Sequence, residues 1–88
     1  MPCKVKIDER ALKEIARIDR ESQKRIMSFL KERIEPAESV HMHGKPLAGT
    51  MSGLWRYRVG NYRLICLADE TKKEITVLKV GHRKEIYR

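Results

Sequence analysis

Apolar and polar residues alternate most strictly between Leu54 and Leu67, in LWRYRVGNYRLICL. A period of two marks a half-buried strand, and a Gly60-Asn61 link between two such runs marks a tight β-hairpin. In such a hairpin Val59 faces Tyr62, Arg58 faces Arg63, Tyr57 faces Leu64 and Arg56 faces Ile65. Side chains alternate faces along a strand. Trp55, Tyr57 and Val59 therefore share one face with Tyr62, Leu64 and Cys66, while Arg56, Arg58 and Arg63 share the other.

Upstream the pattern changes twice. Cys3 to Ile7, CKVKI, alternates as a short strand. Asp8 follows as a helix N-cap, with Glu9 favourable in the first turn. Ala11, Leu12, Ile15 and Ile18 recur at helical spacing, giving a helix of about ten residues that Asp19 to Ser22 breaks or caps. A second helix is expected from about Glu21 to Ile34, with Ile26, Met27, Leu30 and Ile34 as its apolar stripe and Phe29 beside them. Pro36 ends it. Glu35 to Gly53 reads as the long irregular stretch, punctuated by Pro36, Gly44, Pro46, Gly49 and Gly53. A loop of that length in a small domain is functional or mobile. After the hairpin, Asp69 to Lys73 is a charged turn and Glu74 to Val80, EITVLKV, a further strand. The order β-α-α-β-β-β predicts an α+β domain: a small, antiparallel-rich sheet with a two-helix hairpin packed on one face and the first strand at one edge of the meander.

Composition fits a single domain over residues 1–88. The hydrophobic content is 41 % and the charged content 36 %. A chain of 88 residues buries roughly 60–65 % of its unfolded surface, enough for one modest core. The net charge is +8, which favours partners bearing phosphate or carboxylate groups. Cys3 and Cys66 lie outside any CxxC pair and read as reduced, structural thiols of a cytoplasmic protein. No signal-peptide pattern or membrane-length apolar run is present, and no membrane partner is expected. His41-Met42-His43 lacks the Cys or carboxylate partners of a metal site, so no metal is expected.

The charge sharpens the reading of the hairpin. Like charges directly opposite one another destabilise a sheet face. Two paired arginines with a third diagonal to them point to an anion, since guanidinium forks match phosphate oxygens. An ordinary solvated face, with its charges spread by side-chain length, is the other reading. Lys45 adds a cation near that face. The tail, GHRKEIYR, brings His82, Arg83, Lys84 and Tyr87. Folded back, it would set Arg83 and Tyr87 beside Arg56, Arg58 and Arg63; otherwise it is a frayed basic terminus.

GKPLAG, GLWRYRVGNYRLIC and VLKVGHRKEIY, together with the element order, resemble the RelE branch of the RelE/ParE toxin superfamily. The resemblance covers nearly the whole chain. It implies the toxin half of a type II toxin–antitoxin pair, with a RelB-like antitoxin as partner. It also implies an endoribonuclease that cuts mRNA in the ribosomal A site, on the 30S subunit, without a cofactor. ParE-type members share the fold and inhibit DNA gyrase instead. The resemblance places catalytic cations at Arg56 and Arg58, a phosphate-stabilising arginine at Arg63, another at Arg83 and a catalytic tyrosine at Tyr87. Lys45, His82 and Lys84 join them as expected RNA contacts. Well-known members often carry lysines where this chain has Arg56 and Arg58. Lysine exchanges protons more readily than arginine, so these two fit electrostatic stabilisation better than proton transfer, and His82 is an alternative proton carrier.

Overall fold

The computed structural model describes residues 3–38, 43–46 and 54–86. The chain opens with β1 (Lys4–Ile7), whose lysines are exposed and whose Val5 and Ile7 are half-buried. Asp8 then caps α1 (Glu9–Ala16): its carboxylate accepts the Arg10 N–H at 3.2 Å. Asp19 does the same for α2 (Arg20–Phe29), accepting the Ser22 N–H at 3.0 Å. Each cap satisfies an N–H that a helix start leaves without a partner. At the other end of α1, the Gln23 amide donates to the Ile15 and Ile18 carbonyls at 2.8 and 3.0 Å. One side chain of α2 thereby closes the end of α1 and fixes the helical hairpin.

Helical winding continues past Phe29, but as a wider π turn over Leu30–Ile34, with the Glu35 N–H reaching the Leu30 carbonyl at 2.9 Å. Ile26, Leu30 and Ile34 enter the core as the apolar stripe requires. Met27 does not: it is 46 % exposed, and it borders a groove with Val5 and Ile7. Leu12 is likewise 50 % exposed on α1. A helix lying on a sheet buries a narrow stripe, and residues at its margin stay wet.

Three further strands, β3 (Leu54–Val59), β4 (Tyr62–Asp69) and β5 (Glu74–His82), form an antiparallel meander. A two-residue strand, β2 (Lys45–Pro46), pairs with β3. The sheet order is β1-β5-β4-β3-β2, and β1 runs parallel to β5. The hairpin register is the expected one, with Val59 opposite Tyr62, Arg58 opposite Arg63, Tyr57 opposite Leu64 and Arg56 opposite Ile65. Gly60 makes the turn possible: its φ of +58° suits the first central position of a II′ hairpin, which disfavours side chains.

β5 departs from simple alternation. Ile65 pairs with Lys79 but Cys66 pairs with Val77, so Leu78 is an extra residue, a β-bulge. The bulge sends Val80 to the core alongside Ile75 and Val77, and turns Lys79 to the opposite face. β1 covers β5 only as far as Val77. Beyond it, the Glu14 carboxylate of α1 accepts the Val80 N–H at 2.8 Å and supplies the bond a longer β1 would have made. The helices close one face of the sheet over Tyr57, Leu64, Cys66, Ile75 and Val77, all fully buried. Phe29 meets Tyr57 edge-on at 5.8 Å between ring centroids. Both cysteines are free and buried.

Candidate active site

The other sheet face carries the charge. Strand pairing arranges it in rows. Lys45, Arg56, Ile65 and Lys79 form one, across β2, β3, β4 and β5. Arg58, Arg63 and Gly81 form the next. Past the hairpin turn, the Arg83 N–H donates to the Asn61 carbonyl at 2.8 Å, so Arg83 starts a third. Arg56, Arg58 and Arg63 thus share a face, as the alternation requires, and Lys45 joins them.

Their environments differ. Arg58 is exposed and Arg56 half-buried. Arg63 is only 8 % exposed, and its Nη1 donates to the Gly60 and Tyr62 carbonyls at 3.1 and 3.0 Å. The turn therefore holds one end of the Arg63 guanidinium in a fixed direction, whereas Arg58 projects from the edge of the sheet. Lys45, Arg56 and Arg58 line a cleft of about 330 Å³ together with His43 and Gly44. Gly44 permits it: a Cβ there would run into the Trp55 indole and lie 2.8 Å from the Arg56 carbonyl oxygen. This close approach brings Lys45 beside Arg56.

The tail returns over the charged face. The Glu85 and Ile86 N–H groups both donate to the His82 carbonyl, at 2.8 and 3.0 Å, which turns the chain back. Ile86 is 4 % exposed, and its Cδ1 sits 2.9 Å from where a Cβ on Gly81 would stand. Gly81 is paired with Arg63, so that direction is the arginine face. Lys79 Nζ donates to the Ile86 carbonyl at 3.1 Å and fastens the return. Arg83 and Lys84 lie exposed in this turn. Tyr87 lies outside the described residues, as do His41 and Met42.

His82 is separated from the arginines. It pairs with Tyr62, whose face carries Val59 and Tyr57, and its ring meets Tyr62 edge-on at 5.7 Å. Its Nδ1 accepts the Lys84 N–H at 3.3 Å, so the imidazole braces the terminal turn. Lys79 is the residue the alternation conceals. Counted from Ile75 and Val77 it falls on the core side, and only the bulge turns it outward; the apolar spacing of three from Val77 to Val80 is the one trace in the sequence. Burial pushes the Cys66 thiol up to about 12 and also raises the Tyr57 phenol and the Cys3 thiol. These groups belong to the core.

Residues 5–87 match the family described as the ParE toxin of type II toxin-antitoxin system, parDE. The chain belongs to this family. It is a toxin of the RelE/ParE superfamily. Toxin RelG of Mycobacterium tuberculosis is 40 % identical over 45 residues, 51 % of this chain and 52 % of that protein. The match thus spans about half the length of this curated relative. Among solved structures, a mutant of the E. coli toxin RelE in the free state superposes with a TM-score of 0.72 at 26 % identity, covering 99 % of this toxin and 92 % of that chain. The archaeal RelE–RelB complex from Pyrococcus horikoshii gives 0.70 at 28 %, covering 97 % and 99 %. The toxin–antitoxin complex RelBE2 from M. tuberculosis gives 0.83 at 22 %, covering 97 % and 95 %, a likeness of fold. Among the described residues, no helix of the toxin is long and apolar enough to cross a membrane.

Proposed function

We propose that the toxin is an endoribonuclease that cuts mRNA held in the ribosomal A site. The observation that carries this reading is the arginine pair, Arg58 opposite Arg63, with Arg56, Lys45 and Lys79 in the adjoining row on the face free of helices. Such a cluster is costly on its own and favourable around a phosphodiester.

RNA supplies its own nucleophile. The 2′-oxygen bonds to phosphorus, the bond from phosphorus to the 5′-oxygen breaks, one proton leaves the 2′-hydroxyl and one reaches the departing oxygen. The products are a 2′,3′-cyclic phosphate and a 5′-hydroxyl, and the balance needs no oxidant or water. Arg58 and Arg63 stabilise the charge that develops on the phosphoryl oxygens, a role worth roughly 3–4 kcal/mol per well-placed donor. Arg56, Lys45 and Lys84 hold neighbouring phosphates. Tyr87, next in sequence to the anchored Ile86, takes the role of base. Arg83 assists the leaving oxygen. His82 braces the tail in place of carrying protons. With arginines where a proton donor is wanted, catalysis on free RNA is weak, and the ribosome contributes by positioning the substrate. A RelB-like antitoxin, acidic or amphipathic, neutralises the basic face; RelE–RelB complexes are known among structures of this fold.

A second reading, a non-catalytic gyrase inhibitor, is favoured by the ParE description of the matching family. Two assays on the purified toxin separate them: end mapping of mRNA in a translating extract, and supercoiling by gyrase. Ribosome-dependent cuts ending in a cyclic phosphate support the nuclease. Inhibition of supercoiling with intact mRNA overturns it.

A further inference from the structure

We infer that the cleft between α2 and the hairpin tip is a second binding site for the RNA strand, holding phosphates that flank the one being cut. This rests on the nuclease reading above and extends it. The cleft is shallow and open to solvent, with a volume of about 630 Å³. Lys24, Arg25 and Arg33 reach it from α2 and the π turn, and Arg58 from β3; these four cations outweigh the two carboxylates there, Glu21 and Glu32. The Lys6–Glu74 and Arg10–Glu14 ion pairs involve none of the four.

Continuity with the arginine face favours RNA over a peptide. Arg58 lines both this cleft and the one beside Lys45 and Arg56. β2 pairs only with Trp55 and Arg56 of β3, so among the described residues no strand covers the β3 edge next to Arg58. A strand bound on the arginine face reaches this cleft by way of Arg58, which lines both. It then meets Arg25, whose Nη1 lies 3.2 Å from where a Cβ on Gly60 would stand, at the hairpin turn itself. Phe29, half-buried, gives the cleft an aromatic wall for a base. Cations tracking a backbone beside an aromatic ring are the usual means of holding a single strand.

The test is binding of 2′-O-methyl RNA, which the toxin cannot cut, as a trinucleotide and as a dodecanucleotide across a salt series. The wild type binds the longer strand more tightly and with a steeper salt dependence. The triple variant Lys24→Ala, Arg25→Ala, Arg33→Ala alters exposed positions only. It binds the trinucleotide like the wild type but loses the gain with length. Its log–log salt slope for the longer strand is shallower by roughly 2, at about 0.7 per single-strand phosphate contact. A triple variant that keeps the wild-type affinity and slope overturns this inference alone. A triple variant that keeps RNA binding but loses the antitoxin overturns it in favour of a protein partner. A wild type that binds neither RNA while inhibiting gyrase overturns the nuclease reading and this one with it.

Discussion

The two faces of the sheet are built from the same strands and obey opposite rules. On one, Tyr57, Leu64, Cys66, Ile75 and Val77 exclude water beneath two helices. On the other, alternate residues of the same strands gather Arg56, Arg58, Arg63 and Lys79 where no helix lies. One face lowers the free energy of folding. The other sets like charges opposite one another, an arrangement that packing alone does not favour, although the bonds from Arg63 to the turn and from Lys79 to the tail offset part of that cost.

Substitutions on each face sharpen that contrast. The largest loss of stability is expected on the covered face: Leu64→Ala should cost about 2–5 kcal/mol in chemical denaturation. Arg58→Ala, exposed on the other, should change stability by no more than about 0.5 kcal/mol while lowering cleavage roughly 10²–10³-fold. Equal stability losses in both variants would erase the distinction. Arg63 belongs to both worlds, since its guanidinium is buried and tied to the turn. Arg63→Ala should therefore lower activity and also cost about 1–3 kcal/mol, because carbonyls of the turn lose their donor.

Smaller effects probe the edges of the arginine face. Gly44→Ala forces the Trp55 indole aside; a loss of about 1–3 kcal/mol with a shifted tryptophan emission is expected. Lys79→Met removes the bond to the Ile86 carbonyl. It should cost about 1 kcal/mol at most, yet reduce cleavage several-fold, because it loosens the tail and takes one cation from the row beside Arg56. The mildest test is acid. The Ser22 backbone N–H holds the Asp19 carboxyl below its ordinary value. Its contribution is present above the unfolded pKa and is lost as pH falls through the lower folded one. Asp19→Ala should lessen the dependence of stability on pH in that window, read from denaturation at a series of acidic pH values.

Much of this contrast was legible in the sequence, because alternation and a Gly-Asn turn leave little freedom of register. That put Arg58 opposite Arg63 and Tyr57 opposite Leu64. The Asp8 cap was equally readable, since a helix start demands an acceptor; Asp19 as the cap of α2 was not, because Asp19 to Ser22 reads equally well as the break or cap of α1. The bulge was not: one extra residue at Leu78 reverses the faces of Lys79 and Val80, and its one local trace, the apolar spacing of three from Val77 to Val80, is too slight to break the strand pattern. β2 was hidden because two residues amid glycines and prolines have no period. The placement of His82 away from the arginines follows from pairing with Tyr62, a tertiary fact. Met27 and Leu12 stayed exposed because the width of a buried stripe depends on what covers it.

The account is tested most directly by end mapping of mRNA from a translating extract, with equal amounts of folded wild-type toxin and the double variant Arg56→Ala, Arg58→Ala. It predicts cuts bearing a 2′,3′-cyclic phosphate for the wild type and their near-complete loss in the variant at unchanged unfolding temperature. Undiminished cutting by the folded double variant would contradict it.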